Sequence, residues 1–243
     1  MGNFDITTSF AIILLAAAVH ASFQLSVSVL TLMSGHALGR KSAKHRLVTL
    51  VGGFVFGAGG MTVLLLSTLA LVFMISLPSG VPSVLWAGLC GAAIGVAVAV
   101  WLYYYRDARG TSLWIPRSFA EFLAERCKHS KNTAEAFGLG MTSIFAEFLF
   151  VFAPLAITAL VLVGLPSDLQ LLGIVAYTLV SLLPLLIVAA LIHRGQKISH
   201  IQRWREKNKY FLQFAAGSGL LVLALYVYVE QVMNVAVSMG APL

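Results

Sequence analysis

Long apolar stretches alternate with short polar ones along the whole chain. Six stretches are long enough to cross a bilayer, which takes roughly 20 helical residues: 9–35, 48–77, 83–105, 136–164, 169–193 and 210–235. Several exceed the minimum, which predicts tilted or broken helices. The connections alternate in character. Residues 36–47 hold Arg40, Lys41, Lys44 and Arg46, whereas 78–82 hold no charge. Residues 106–135 hold Arg106, Arg109, Arg117, Arg126, Lys128 and Lys131, whereas 165–168 hold only Asp168. Residues 194–209 hold Arg194, Lys197, Arg203, Arg205, Lys207 and Lys209. All sixteen Lys and Arg therefore fall on one side of a six-span arrangement. The positive-inside rule then places the three basic segments in the cytoplasm and both termini outside. Trp101, Tyr103, Tyr104, Tyr105 and Trp204 fall at the inner boundary and Trp86 near the outer one, as an aromatic belt requires.

Composition agrees with this pattern. The chain is 59% hydrophobic and 10% charged, against about 25% charged in soluble domains, and its mean hydropathy is +0.92. The expected class is an all-α integral membrane protein with residues 1–243 as a single membrane domain. Its setting is the cytoplasmic (inner) membrane and its first partner the lipid bilayer. The net charge of +7 follows from the basic inner segments and predicts no nucleic-acid partner. Cys90 and Cys127 are far apart and form no CxxC, which points to neither a disulfide framework nor a zinc site. The start, MGNFDITTSF, has no basic region of a cleaved signal peptide and lacks the Ser or Thr of a myristoylation site. Between the spans, 114–129 reads as a short amphipathic helix on the inner surface, opened by Pro116, with Phe119, Phe122, Leu123 and Arg126 at helical spacing. Residues 197–209 read as a solvated basic flank.

The candidate chemistry sits in 138–154. Glu147 lies near the middle of the fourth span, with Pro154 two turns on. A carboxylate there costs about 2.5–3.5 kcal/mol on insertion scales, so it is kept neutral, paired, or exposed to a water-filled cavity. That makes it either a proton or substrate site or a structural hydrogen bond between helices. In the first span His20, Gln24, Ser28 and Thr31 recur at i, i+4, i+8 and i+11, one face of a helix. Tyr177, Ser181 and Pro184 form a smaller polar set in the fifth. Single Ser and Thr positions read as interhelical or backbone hydrogen bonds.

Three spans on each side of a central connection make the halves opposite in orientation, the layout of an inverted repeat. The halves are 8–105 and 136–237, joined by 106–135. Laying the first span on the fourth puts Gln24 opposite Glu147 and Thr31 opposite Pro154, and gathers His20, Gln24, Ser28, Glu147 and Pro154 into one candidate substrate or proton site. Gly53 with Gly57, and Gly91 with Gly95, form two GxxxG pairs expected to serve helix packing.

At these residues the chain resembles the lysine-exporter (LysE-type) transporters and, more distantly, the CcdA and TerC membrane proteins. The resemblance rests on the polar break in span one followed by Gly35-His-Ala-Leu-Gly39-Arg-Lys and a glycine-rich second span. It rests also on Phe137-Gly-Leu-Gly140 leading into the polar mid-span pair, and on Phe214-Ala-Ala-Gly217-Ser-Gly219 after a basic flank. It implies a three-plus-three fold with a central site and export of small solutes or ions. The chain departs from the family at the Pro-Gly-Pro-like break of span one, held here by His20-Ala-Ser-Phe-Gln24. It departs again at the Asn-Pro of span four, held here by Ala146-Glu147.

The expected function is secondary transport, as exporter or exchanger of a small solute or ion, with Glu147 carrying a proton or cation. No enzymatic activity, metal or cofactor is expected. The alternative is a non-transporting membrane assembly protein on a transporter-like fold, with a homodimer or a membrane-protein partner open in both readings. A thiol-redox conduit would need Cys90 and Cys127 to meet within the membrane, and a haem protein would need facing histidines, whereas only His20 is well inside a span.

Overall fold

The computed structural model describes residues 5–23, 25–37, 43–78, 80–103, 117–129, 132–196 and 198–233. Gln24 lies outside them, as do Pro116 and the parts of the basic segments at 38–42, 104–116, 130–131 and 197. Every regular element among the described residues is helical. In chain order these are α1 (Ile6–Ala21), α2 (Leu25–Ala37), α3 (Ala43–Ser76), α4 (Ser83–Tyr103), α5 (Arg117–His129), α6 (Thr133–Gly164), α7 (Ser167–Ser181), α8 (Leu183–His193), α9 (Ile198–Lys207) and α10 (Lys209–Tyr228), with a π-helical turn at Val229–Met233. Four helices are long and apolar enough to cross a membrane, and six spans result when each of two bent pairs counts as one.

The bent pairs are α1–α2, at 47°, and α7–α8, at 53°. Both bends have local causes. At the first, the Ser22 hydroxyl donates to Val19 O at 2.5 Å, and the amides of Ser22 and Phe23 bond three residues back rather than four. A serine that offers its own hydrogen bond to the backbone competes with the helical ladder. At the second, Pro184 supplies no amide and its ring crowds the carbonyl four residues earlier. The polar stripe of the first span is therefore split: His20 belongs to α1, whereas Ser28 and Thr31 belong to α2. They do not share the single helical face that their spacing predicts.

The fourth span behaves in the opposite way. α6 runs unbroken through Pro154, which is buried in it. Its Asn132 cap accepts from the Glu135 amide at 2.8 Å, and Glu135 suits the positive end of the helix. Counted as six spans, the bent ones are the first and the fifth, positions that a three-plus-three repeat does not make equivalent.

α6 is the axis of the molecule. It touches α1, α2, α3, α4, α5 and α7, and 67% of its apolar window is buried, against 17% for the peripheral α3. Its closest neighbour is α3, and glycine sets that distance. A Cβ on Gly57 would sit 2.0 Å from Phe137 O, one on Gly53 2.7 Å from the Thr133 methyl, and one on Gly140 2.1 Å from Phe54 O. The second GxxxG pair behaves differently. Gly91 and Gly95 of α4 have nothing within 4 Å of a built Cβ among the described residues, because that face of α4 points away from them. α4 instead pairs with α10 through its other side, where Gly217 makes room for Trp101. Trp101 donates to Phe214 O at 3.2 Å, and Gln213 Nε2 donates to Val100 O at 2.6 Å and Trp101 O at 2.8 Å. Trp86, expected in an outer aromatic belt, is buried against the core instead.

Candidate functional site

The two bends and the middle of α6 meet around α2. This half-length helix packs against α3, α5, α6, α8 and α9. The first amides of any helix lack partners within it, and at α2 they lie inside the protein. Glu147 meets them. Its Oε1 accepts from the Leu25 amide, and its Oε2 accepts from the Ser26 hydroxyl at 3.2 Å. A carboxylate at a helix N-terminus is favoured by the partial positive charge of the aligned peptides. Glu147 is 2% exposed, so it caps α2 from a different helix and out of reach of solvent. Ser143, one turn earlier on α6, extends the set: its Oγ lies 3.3 Å from Ser26 Oγ and 2.8 Å from Gly140 O.

His20 closes the other side of the break. Its Nδ1 and Tyr177 Oη are hydrogen-bonded at 3.0 Å, with the direction set by the imidazole tautomer. Both side chains are buried. The bond ties the end of α1 to α7 just before its own bend, so the two bent helix pairs are joined at their bends.

Ser28, two residues along from Ser26, is held from the opposite direction. Arg205 Nη2 donates to Ser28 Oγ at 2.7 Å. Arg205 lies on α9, within the segment expected to be a solvated flank, yet it is the largest of the fully buried side chains. The reason is in the spacing. Ile198, Ile201 and Arg205 form the buried face of α9, and the guanidinium occupies the next place in an apolar stripe. Its charge acts on the Glu147 carboxylate.

The predicted site residues thus separate. Glu147, His20 and Ser28 surround the break, although each has a different partner. Pro154 is buried on α6 but seven residues beyond Glu147, about 10 Å along the axis. Thr31 bonds its own helix through Ser28 O at 2.9 Å, the backbone role expected of an isolated threonine. Arg205, Ser26 and the Leu25 amide were not anticipated. A helix, α5, forms in the segment read as amphipathic, but its buried face is Leu123 and Cys127, whereas Phe122, expected beside Leu123, is exposed with Arg126 over its ring at 5.5 Å. Cys127 Sγ donates to Val29 O of α2 at 3.8 Å, and burial pushes its thiol up to about 12, so it stays protonated at neutral pH.

Chemically, the arrangement is one buried carboxylate that caps the short helix α2, a hydroxyl pair beside it, and one buried guanidinium a turn away. Among the described residues, no three His, Cys, Asp or Glu side chains come together as metal ligands would. Both cysteines are free and buried, Cys90 on α4 and Cys127 on α5. No protein-family model, no curated protein and no solved structure matches the chain.

Proposed function

We propose that the chain is a six-span protein of the cytoplasmic membrane, with both termini outside, that exports or exchanges a small solute or ion. The observation that carries this reading is the Glu147 carboxylate closing the N-terminus of α2 between two broken spans. Interrupted helices meeting near mid-membrane, with ionisable groups at their ends, are the recurring way transporters build a site. Ionised, Glu147 accepts from Leu25 and Ser26 and holds α2 in place. On taking up a proton or a cation it loses acceptor strength, and the half-helix is released to move. His20 and Tyr177 keep the two interruptions together while this happens. The one-sided placement of Lys and Arg supports the orientation.

The test is thermal stability in detergent of wild type and Glu147→Gln, against amino acids, monovalent and divalent cations and a pH series. A ligand at 100 times its dissociation constant adds about 2.7 kcal/mol. The expected result is a shift in wild type that is lost in Glu147→Gln. An equal shift in both proteins would remove Glu147 from the site. A second reading, a membrane assembly protein, is favoured by the outward-facing Gly91 and Gly95 of α4. It is supported if no ligand shifts either protein and one stoichiometric partner co-purifies.

A further inference from the structure

The basic end of α10 carries a surface patch that the Glu147 site does not use. α10 is long and apolar enough to cross a membrane from Lys209 onward, so its first turns stand at the boundary between lipid and water. Tyr210, Phe211 and Phe214 in those turns are 61%, 68% and 62% exposed, and their spacing of i, i+1 and i+4 puts them on one side of the helix. Trp101, in the last turn of α4, stacks on Phe214 with ring centroids 6.1 Å apart, so two apolar helices mark the same level. α9 joins α10 through Asn208 alone. The Asn208 side chain donates to Trp204 O at 2.7 Å, which holds Trp204 within a turn of that boundary.

α9 is sided in the same sense. Ile198, Ile201 and Arg205 face the protein. At 3.6 residues per turn Trp204 lies on one flank of that face and Glu206 on the other. Lys207 is one turn on from Trp204, and Arg203 lies opposite the buried face. Trp204, Arg203 and Lys207 are all exposed. Arg203 Nε donates to Ser199 O at 3.2 Å, one turn back. An aromatic flank with long cationic side chains beyond it is the pattern of a helix lying in an interface, its charged heads reaching the polar layer. We propose that the corner between α9 and α10 binds the phosphate headgroup of an anionic phospholipid. Arg203 and Lys207 take the phosphate, for which a guanidinium supplies paired donors. Trp204, Tyr210, Phe211 and Phe214 lie along the glycerol backbone and the first methylenes of the acyl chains. A soluble anion would satisfy the two cations and leave four large aromatic side chains in water, whereas an anionic lipid covers both. The site does not depend on Glu147; it needs only that α10 crosses the membrane.

The experiment reconstitutes the full chain into vesicles of phosphatidylcholine and phosphatidylglycerol, with one lipid or the other brominated on its acyl chains. Bromine quenches tryptophan emission only near contact. The emission that belongs to Trp204 is the difference between wild type and Trp204→Phe, and its quenching against lipid composition gives the affinity for phosphatidylglycerol relative to phosphatidylcholine. The expected ratio in wild type at low salt is about tenfold. Arg203→Gln and Lys207→Gln each lower it by up to about fivefold, the equivalent of about 1 kcal/mol for one cation at an anionic surface, and together they bring it near unity. Salt at 1 M, where the screening length is about 3 Å, lowers the wild-type ratio and leaves that of the double variant unchanged. The substituted side chains are exposed, which keeps folding out of the readout.

Equal quenching by the two lipids in wild type overturns the proposal, because Trp204 then rests in lipid without selecting its charge. No quenching by either lipid places Trp204 in water or against another protein and overturns it too. A preference for phosphatidylglycerol that survives the double substitution overturns the assignment to Arg203 and Lys207. Inorganic phosphate added at matched ionic strength leaves the preference in place; its loss there would make the corner a site for a soluble anion and overturn the lipid. None of these readings involves the ligand shift at Glu147, so failure of the lipid site and failure of the transport reading are told apart.

Discussion

The two bent helix pairs solve the same problem by different means. At α7–α8 the interruption is resolved within the span. Pro184 has no amide to leave unpaired, the Leu182 amide bonds back to Thr178 O, and Ser181 Oγ donates to the same carbonyl at 3.0 Å. At α1–α2 the chain begins a new helix whose first amide, at Leu25, is met by a carboxylate from α6, far away in sequence. A break closed by its own residues is a fixed bend. A break closed by a titratable group on another helix depends on the state of that group, and this dependence makes the first one the candidate for motion.

The comparison breaks most sharply at Glu147. Replacing it by Ala strands the Leu25 amide and the Ser26 hydroxyl inside the protein, so Glu147→Ala is expected to destabilise by about 1–3 kcal/mol or more, the cost of leaving buried donors unmet. Denaturant unfolding in mixed micelles measures it, and a loss under about 1 kcal/mol would show that water or another group caps α2. Tyr177→Phe removes the bond between the two interruptions but keeps the ring. It is expected to cost about 1–2 kcal/mol, because His20 then lacks its buried partner. Pro184→Ala tests the self-contained bend. It gives α8 an ordinary first turn and should change stability by less than about 1 kcal/mol; a loss like that of Glu147→Ala would erase the distinction.

The smallest effect belongs to Asp5, which caps α1 in full exposure by accepting from the Thr8 amide at 3.1 Å. Its hydrogen bonds with Thr8 hold its carboxyl below the usual carboxylate range. A lowered folded value means that the contribution is complete above the ordinary carboxylate range and is lost as pH falls through the lowered value. Asp5→Asn keeps a good cap and should remove that acid-side loss from the thermal midpoint. The same carboxylate chemistry, moved from solvent at Asp5 to the interior at Glu147, accounts for the difference in scale.

Much of the helical layout is legible in hydropathy, since an apolar run longer than a bilayer leaves little alternative to helix. Glu147 stands out as a lone carboxylate in such a run. Its partner does not, because the group it caps is a backbone amide and any residue at position 25 would present one. The bend at Ser22 was readable only as a polar interval, and the straight course of α6 through Pro154 depends on neighbours on almost every side. Gly53 and Gly57 share their spacing with Gly91 and Gly95, and spacing alone does not say which face of a helix meets another. Arg205 was obscured by the basic residues around it. The signal that could have found it is its step from Ile198 and Ile201, which continues the buried stripe onto a charge.

The distance in sequence between Leu25 and Glu147 has a consequence for biosynthesis. The two are 122 residues apart, and at about 5–20 residues per second the ribosome needs roughly 6–25 seconds to travel from one to the other. During that interval the start of α2 has no carboxylate to receive its amides, and lipid offers them nothing. In the proposed six-span arrangement, the nascent first span waits as a continuous helix, or with its lower half still in water, until the fourth span is inserted beside it. The contact that closes the first bend therefore cannot form until more than half of the chain has been made.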